Sequence, residues 1–61
     1  SSMKMLDDLK DALDEIERED EWAANFVSDI LERKESAPDY KLTGKQFEKL
    51  NQIHQRFVKR W

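Results

Sequence analysis

The sequence predicts an all-α fold, either a bundle of three helices or a helical hairpin with a third helix beside it. Three observations support this prediction. Only one glycine and one proline interrupt 61 residues. Apolar side chains recur every three or four positions, which is the period of one helix face. Residues 42–47 form a complete helix start, because they combine a capping box with a hydrophobic staple.

The length predicts a single small domain, residues 1–61, with little core of its own. A chain of this size buries only about 60% of the surface that its unfolded state exposes. No cysteine is present to form a disulfide or to bind a metal. Helix packing, self-association or a partner must supply the remaining stability, so a homodimer is nearly as favoured as a monomer. We interpret Ser1 and Ser2 as the remnant of a cleaved tag.

The first helix is predicted over residues 4–18. Its apolar residues fall in one narrow arc of the helical wheel: Met5, Leu6, Leu9, Ala12, Leu13 and Ile16. Acidic residues occupy the other side: Asp7, Asp8, Asp11, Asp14 and Glu15. A stripe this narrow is expected to pack against one neighbour.

Residues 17–21 carry no apolar side chain, and two interpretations compete there. Either Asp20 caps a new helix, or one long helix continues through this segment with a heptad pattern. We favour a break near 18–20, because Trp22 and Phe26 fall off the apolar stripe of the first helix.

The second helix is predicted over residues 21–35. Its apolar residues cover nearly half of the wheel: Trp22, Ala23, Phe26, Val27, Ile30 and Leu31. A face this wide usually contacts two neighbours, so we expect the second helix to be central, with the first and third helices against it. Pro38 and Asp39 mark a turn in the connection that follows, residues 36–42.

The third helix is predicted over residues 44–61. Thr43 is the expected N-cap, and Gln46 closes the capping box. Leu42 and Phe47 are the expected staple. The apolar arc of this helix contains Phe47, Leu50, Ile53, Phe57, Val58 and Trp61.

The net charge of −3 is distributed unevenly. Residues 1–21 have a net charge of −6, residues 22–40 of −2 and residues 41–61 of +5. Both charged helix faces are expected to point to solvent. On the third helix this gives a candidate partner or nucleic-acid face, here termed the basic face: Lys45, Lys49, Gln52, Arg56, Lys59 and Arg60. Lysine and arginine can neutralise phosphates, but the acidic total charge opposes an autonomous nucleic-acid binder, and a solvated helix face has the same composition.

The aromatic residues are expected mainly in the core, and Trp22 and Trp61 are candidate interface residues if the bundle leaves them exposed. His54, the only histidine, lies in the apolar arc of the third helix and is expected to be buried with one hydrogen-bond partner. A lone histidine without a cysteine or serine nucleophile beside it does not make a catalytic triad. We therefore predict no enzyme, no cofactor, no metal site and no catalytic residue.

A pattern in the second half of the chain resembles one seen in small helical proteins and terminal segments of phages and bacteria. The matching residues are Trp22, Phe26, Ser28, Ile30, Leu42, Thr43, Lys45, Gln46, Leu50 and Ile53. Such segments often have no assigned role, and some accompany proteins of DNA metabolism. The resemblance implies a helical accessory module and transfers no functional residue.

Together these features predict a non-enzymatic protein-interaction module, an accessory to phage or bacterial DNA metabolism. The alternative is direct nucleic-acid binding through the basic face. A protein partner or self-association is expected, in the cytoplasm and without a membrane segment, since no apolar run approaches the roughly 20 residues that a span requires.

Overall fold

The computed structural model describes residues 2–58, and over this range the chain is all-α, as predicted. The described residues form four helices rather than three. They are α1 (Ser2–Asp11), α2 (Leu13–Glu19), α3 (Glu21–Ser36) and α4 (Gly44–Phe57). The end of the predicted third helix, residues 59–61, lies outside the described range.

The prediction of one continuous helix over residues 4–18 is wrong, because the helix is interrupted at Ala12. Its backbone leaves helical geometry, with φ −96° and ψ 6°. Its N–H group is shared between the carbonyls of Asp8, at 3.1 Å, and Leu9, at 3.2 Å. No glycine or proline marks this position, so we attribute the interruption to packing. The interruption divides the apolar stripe of the predicted first helix. The first part, α1, contacts both α3 and α4, whereas the second part, α2, contacts α3.

The predicted break near residue 20 is confirmed. Asp20 has an extended backbone, with φ −154° and ψ 91°, which ends α2 and begins α3. Its carboxylate oxygen Oδ1 accepts a hydrogen bond from the backbone N–H of Ala23 at 3.1 Å. This is an N-cap, which satisfies one of the amides that a helix start leaves without a partner.

The arrangement of the helices differs from the prediction. The wide apolar face of α3 does contact two neighbours, but these are α1 and α2, the two halves of the predicted first helix. The last helix, α4, packs mainly against α1. The expected central position of the second predicted helix is therefore wrong, because the division at Ala12 supplies both of its neighbours. The buried hydrophobic residues are Met5, Leu6, Leu9, Ile16, Ala23, Ala24, Val27, Ile30, Leu50, Ile53 and Phe57.

The start of α4 has the predicted capping box. Thr43 Oγ1 accepts from the N–H of Gln46 at 3.1 Å, and Gln46 Oε1 accepts from the N–H of Thr43 at 2.9 Å. The hydroxyl of Tyr40 donates to the same amide oxygen of Gln46 at 3.1 Å. The placement of Phe47 in the core is wrong, because this side chain is 46% exposed. Burial in α4 begins only at Leu50, so the first turn of the helix extends past the core.

Among the described residues, no helix combines the length and the apolar character that crossing a membrane would require.

Replacing Leu9 with alanine should destabilise the protein severely. Leu9 is fully buried, and removing a buried leucine side chain costs about 2–5 kcal/mol in lost burial and cavity formation. Leu13→Ala is the matched control, because Leu13 lies on the same stripe but is only partly buried. Urea denaturation followed by circular dichroism measures both. Equal losses in the two variants would contradict the assignment of Leu9 to the centre of the core.

The Thr43→Ala variant should lose about 1 kcal/mol of unfolding free energy, because one oxygen of the capping box disappears. Thr43→Ser keeps the hydroxyl and should stay close to the parent. Thermal melts of the three proteins test the cap, and an alanine variant as stable as the serine variant would show that the cap contributes nothing.

Candidate functional site

Among the described residues, the most exposed large apolar side chain is Trp22, in the first turn of α3. It is 59% exposed, so the expectation that it belongs to the core is wrong. Its ring stacks on that of Phe26, one helical turn further along, with centroids 5.5 Å apart and planes 9° from parallel. Residues four apart lie on the same side of a helix, which brings the two rings together. The stack holds a flat aromatic side chain at the surface in a defined orientation.

Residues of α4 border this stack. The Nζ atom of Lys49 lies 5.3 Å from the centroid of the Trp22 ring, within the range of a cation–π interaction. Beside them is a small cleft of about 90 Å³, to whose lining Gln52 and Arg56 contribute. We call Trp22, Phe26, Lys49, Gln52 and Arg56 the Trp22 patch.

Arg56 joins the patch to the start of α3. Its Nη1 donates to Oδ2 of Asp20 at 2.9 Å, while the other oxygen of Asp20 caps the helix. The guanidinium carbon also lies 4.7 Å from the centroid of the Phe57 ring. The hydrogen bond from Arg56, followed by that from the N–H of Ala23, lowers the pKa of Asp20 below its ordinary value. One ionised carboxylate therefore links the corner between α2 and α3 to α4.

The structure brings part of the predicted basic face together with one of the two predicted interface aromatics. Lys49, Gln52 and Arg56 meet Trp22, while Lys45 is exposed one turn before Lys49. The other candidates, Lys59, Arg60 and Trp61, lie outside the described residues. The expectation that this face points to solvent is confirmed for Lys45, Gln52 and Arg56, although Arg56 also binds Asp20. It is wrong for Lys49, which is partly buried.

Two residues at this site are not predicted as functional from the sequence: Phe26, which belongs to the Trp22 patch, and Asp20, which binds Arg56 of the patch. The sequence places Phe26 in the core and gives Asp20 only a capping role. The spacing of Trp22 and Phe26 by four residues is the available signal for a surface stack. For the contact between Asp20 and Arg56, which are 36 positions apart, the sequence carries no local signal.

His54 forms a second polar cluster, inside the bundle between α1 and α4. It is 7% exposed, and its Nε2 lies 3.0 Å from Oδ2 of Asp8. Because an ionised carboxylate only accepts hydrogen bonds, Nε2 is the donor. The ammonium group of Lys4 donates to the other oxygen of Asp8 at 3.2 Å. The predicted burial of His54 with a partner is confirmed, and the predicted solvent orientation of Asp8 is wrong.

The hydrogen bond from His54, followed by that from Lys4, lowers the pKa of Asp8 below its ordinary value of 3.8. We interpret the contact of His54 with Asp8 as a structural link between α1 and α4. The described part of the chain contains no group of three histidine, cysteine or acidic side chains placed to hold a metal ion.

Comparisons with protein-family models, with curated proteins and with solved structures find no match for this chain. Its function therefore has to be argued from the geometry and chemistry of its own residues.

The link between Asp8 and His54 should make stability depend on pH in the acid range. Because the pKa of Asp8 is lower in the folded protein than the ordinary 3.8, folding favours its ionised form. This contribution is complete above that ordinary value and disappears as the pH falls through the lowered folded pKa. The difference in melting temperature between the parent and Asp8→Asn should therefore be constant near neutral pH and shrink in acid.

Asp7→Asn is the control for that experiment, because it removes the same formal charge from the exposed neighbouring residue. A parent and an Asp8→Asn variant whose melting temperatures differ equally at all pH values would contradict the role of the Asp8 carboxylate.

Proposed function

We propose that this protein is a non-enzymatic interaction module that binds a protein partner through the Trp22 patch. The observation that carries the proposal is the exposure of Trp22, at 59%, in a chain with few large apolar side chains. Burying a large apolar side chain contributes about 1.5–3 kcal/mol. The fold of this 61-residue chain does not bury Trp22 fully, so the Trp22 side chain is available to pack against another surface.

The composition of the Trp22 patch fits a protein interface. Tryptophan and arginine are the residue types most enriched where binding energy is concentrated, and such residues have polar groups around them that exclude water. Here Trp22 and Arg56 lie together, with Lys49 and Gln52 beside them. The stack on Phe26 reduces the conformational freedom that Trp22 would lose on binding.

The proposed setting is phage or bacterial DNA metabolism, in the cytoplasm. It rests on the resemblance of the second half of the chain to accessory segments of that kind. Residues of the pattern have clear structural uses in this fold, since Thr43 and Gln46 cap α4 and Trp22 stacks on Phe26. Self-association through the same patch is included in the proposal, with a second copy as the protein partner.

Direct nucleic-acid binding is the second candidate. Its support is the spacing of Lys45, Lys49 and Arg56 along one side of α4, next to an exposed ring on which a base can stack. Against it stands the acidic first third of the chain, from which Asp20 enters the site itself. A polyanion meets like charge there, whereas a protein surface can be matched to both signs.

Peptide display tests the proposed function even though the partner is unidentified. A random peptide library selected on the parent should yield peptides whose affinity falls at least tenfold for Trp22→Ala, since a central tryptophan contributes about 2 kcal/mol or more. Phe47→Ala is the matched control, because it removes an exposed aromatic side chain of α4 outside the patch. It should leave binding unchanged.

Circular dichroism verifies that both variants keep their helix content, and light scattering of the free parent reveals self-association. Selected peptides that bind the parent and Trp22→Ala equally, together with a parent that stays monomeric, would overturn the proposed function.

A further inference from the structure

The cations of the Trp22 patch, and Lys45 one turn before it, differ in how they are paired. Among the described residues, Lys45 and Lys49 form no ion pair with a carboxylate, although the chain contains 14 acidic residues. In contrast, Arg56 at the other end of the patch pairs with Asp20. The patch thus has local positive charge on a protein whose net charge is −3.

The position of Lys49 couples this charge to the aromatic surface. Its ammonium group lies 5.3 Å from the Trp22 ring centroid. A ligand that covers the exposed ring therefore comes close to the ammonium group. Such a ligand binds most tightly if it has an apolar side chain that covers Trp22 and a negative group that pairs with Lys49. The apolar side chain then partly shields this ion pair from water, which strengthens the attraction.

Arg56 shows that a carboxylate fits at the other end of the patch. It already binds Oδ2 of Asp20 at 2.9 Å through Nη1, and its side chain is still 54% exposed. A guanidinium group has five N–H donors, so a second carboxylate can bind beside the first.

The charged stripe, by which we mean the row of cations on α4 from Lys45 to Arg56, has a length that favours a short ligand. Arg56 lies eleven positions after Lys45 on the helix, which corresponds to roughly 16 Å along the axis at about 1.5 Å per position. An extended peptide covers this distance with about five residues. A nucleic-acid strand that continued past Arg56 would approach Asp20 and the exposed Glu21. The observations therefore favour a short acidic segment over a polyanion.

We infer that the Trp22 patch recognises a short acidic protein segment in which carboxylates flank an apolar side chain. The apolar side chain covers Trp22, one carboxylate pairs with Lys49, and another binds Arg56 beside Asp20. Lys45 attracts the segment at longer range. This inference rests on the proposed function and gives the partner its chemical class.

Fluorescence anisotropy with three labelled probes tests the inference. The first probe is an acidic peptide of about 12 residues, long enough to span the stripe, with a central leucine and phenylalanine. The second has the same sequence with every acid replaced by its amide. The third is oligo-dT of similar length. The parent should bind the acidic peptide at least fivefold more tightly than the amide peptide, and this preference should shrink as added salt screens the charges.

Two variants assign the preference to the patch. Lys49→Gln should weaken binding of the acidic peptide about fivefold, the upper range for one exposed ion pair, and leave the amide peptide unaffected. Lys10→Gln, which removes the same charge from an exposed position on α1, should behave like the parent. Trp22→Ala should weaken binding of both peptides.

The outcomes separate this inference from the proposed function. If the amide peptide binds as tightly as the acidic one and both require Trp22, the inference is overturned and the proposed function stands. If peptide binding is unaffected in Trp22→Ala, the inference is overturned, and the proposed function falls with it when the parent is also monomeric by light scattering. If only oligo-dT binds, with a steep salt dependence and a loss in Lys49→Gln, direct nucleic-acid binding replaces both. Failure of the acidic peptide to bind overturns the inference.

Discussion

The burial of α1 between α3 and α4 is the constraint on which the rest of the structure depends. Because α4 packs mainly against α1, the position of α4 relative to α3 is set through α1. Leu9, fully buried on α1, and the contact of Asp8 with His54 hold this position. The Trp22 patch combines two residues of α3 with three residues of α4, so it exists only while α1 keeps the two helices in place.

The acidic first third of the chain and the basic last third are joined by side-chain contacts at two points. Two hydrogen bonds between side chains of distant parts of the chain, Asp8 with His54 and Asp20 with Arg56, join the acidic first third to α4. Hydrogen bonds have a fixed geometry, so they specify the register of α4 against the helices before it more precisely than apolar packing alone. The two contacts lie at opposite ends of the first third of the chain, so together they orient α4 along the bundle.

The parts of the fold that depend on local chemistry could be predicted from the sequence. The caps at Asp20 and Thr43 are of this kind, because each involves a side chain and an amide only three residues away. The interruption at Ala12 and the exposure of Phe47 could not be predicted in this way. Both are set by where other helices lie, and no residue type signals them.

The same distinction applies to the site. The spacing of Lys49, Gln52 and Arg56 placed them on one side of a helix, as the sequence predicted. That this side would meet Trp22 depends on how α4 packs on α1, which periodicity does not encode. The sequence therefore identified components of the site, and the structure shows how they are combined.

Asp20 explains why the aromatic surface lies where it does. Its extended backbone ends α2, one of its oxygens caps α3, and the other binds Arg56. Ala23 and Ala24 are buried, whereas the Trp22 ring is exposed on the flank where Lys49 and Arg56 of α4 lie. The residue that ends α2 thus also ties α4 to the start of α3, where the Trp22 ring is exposed.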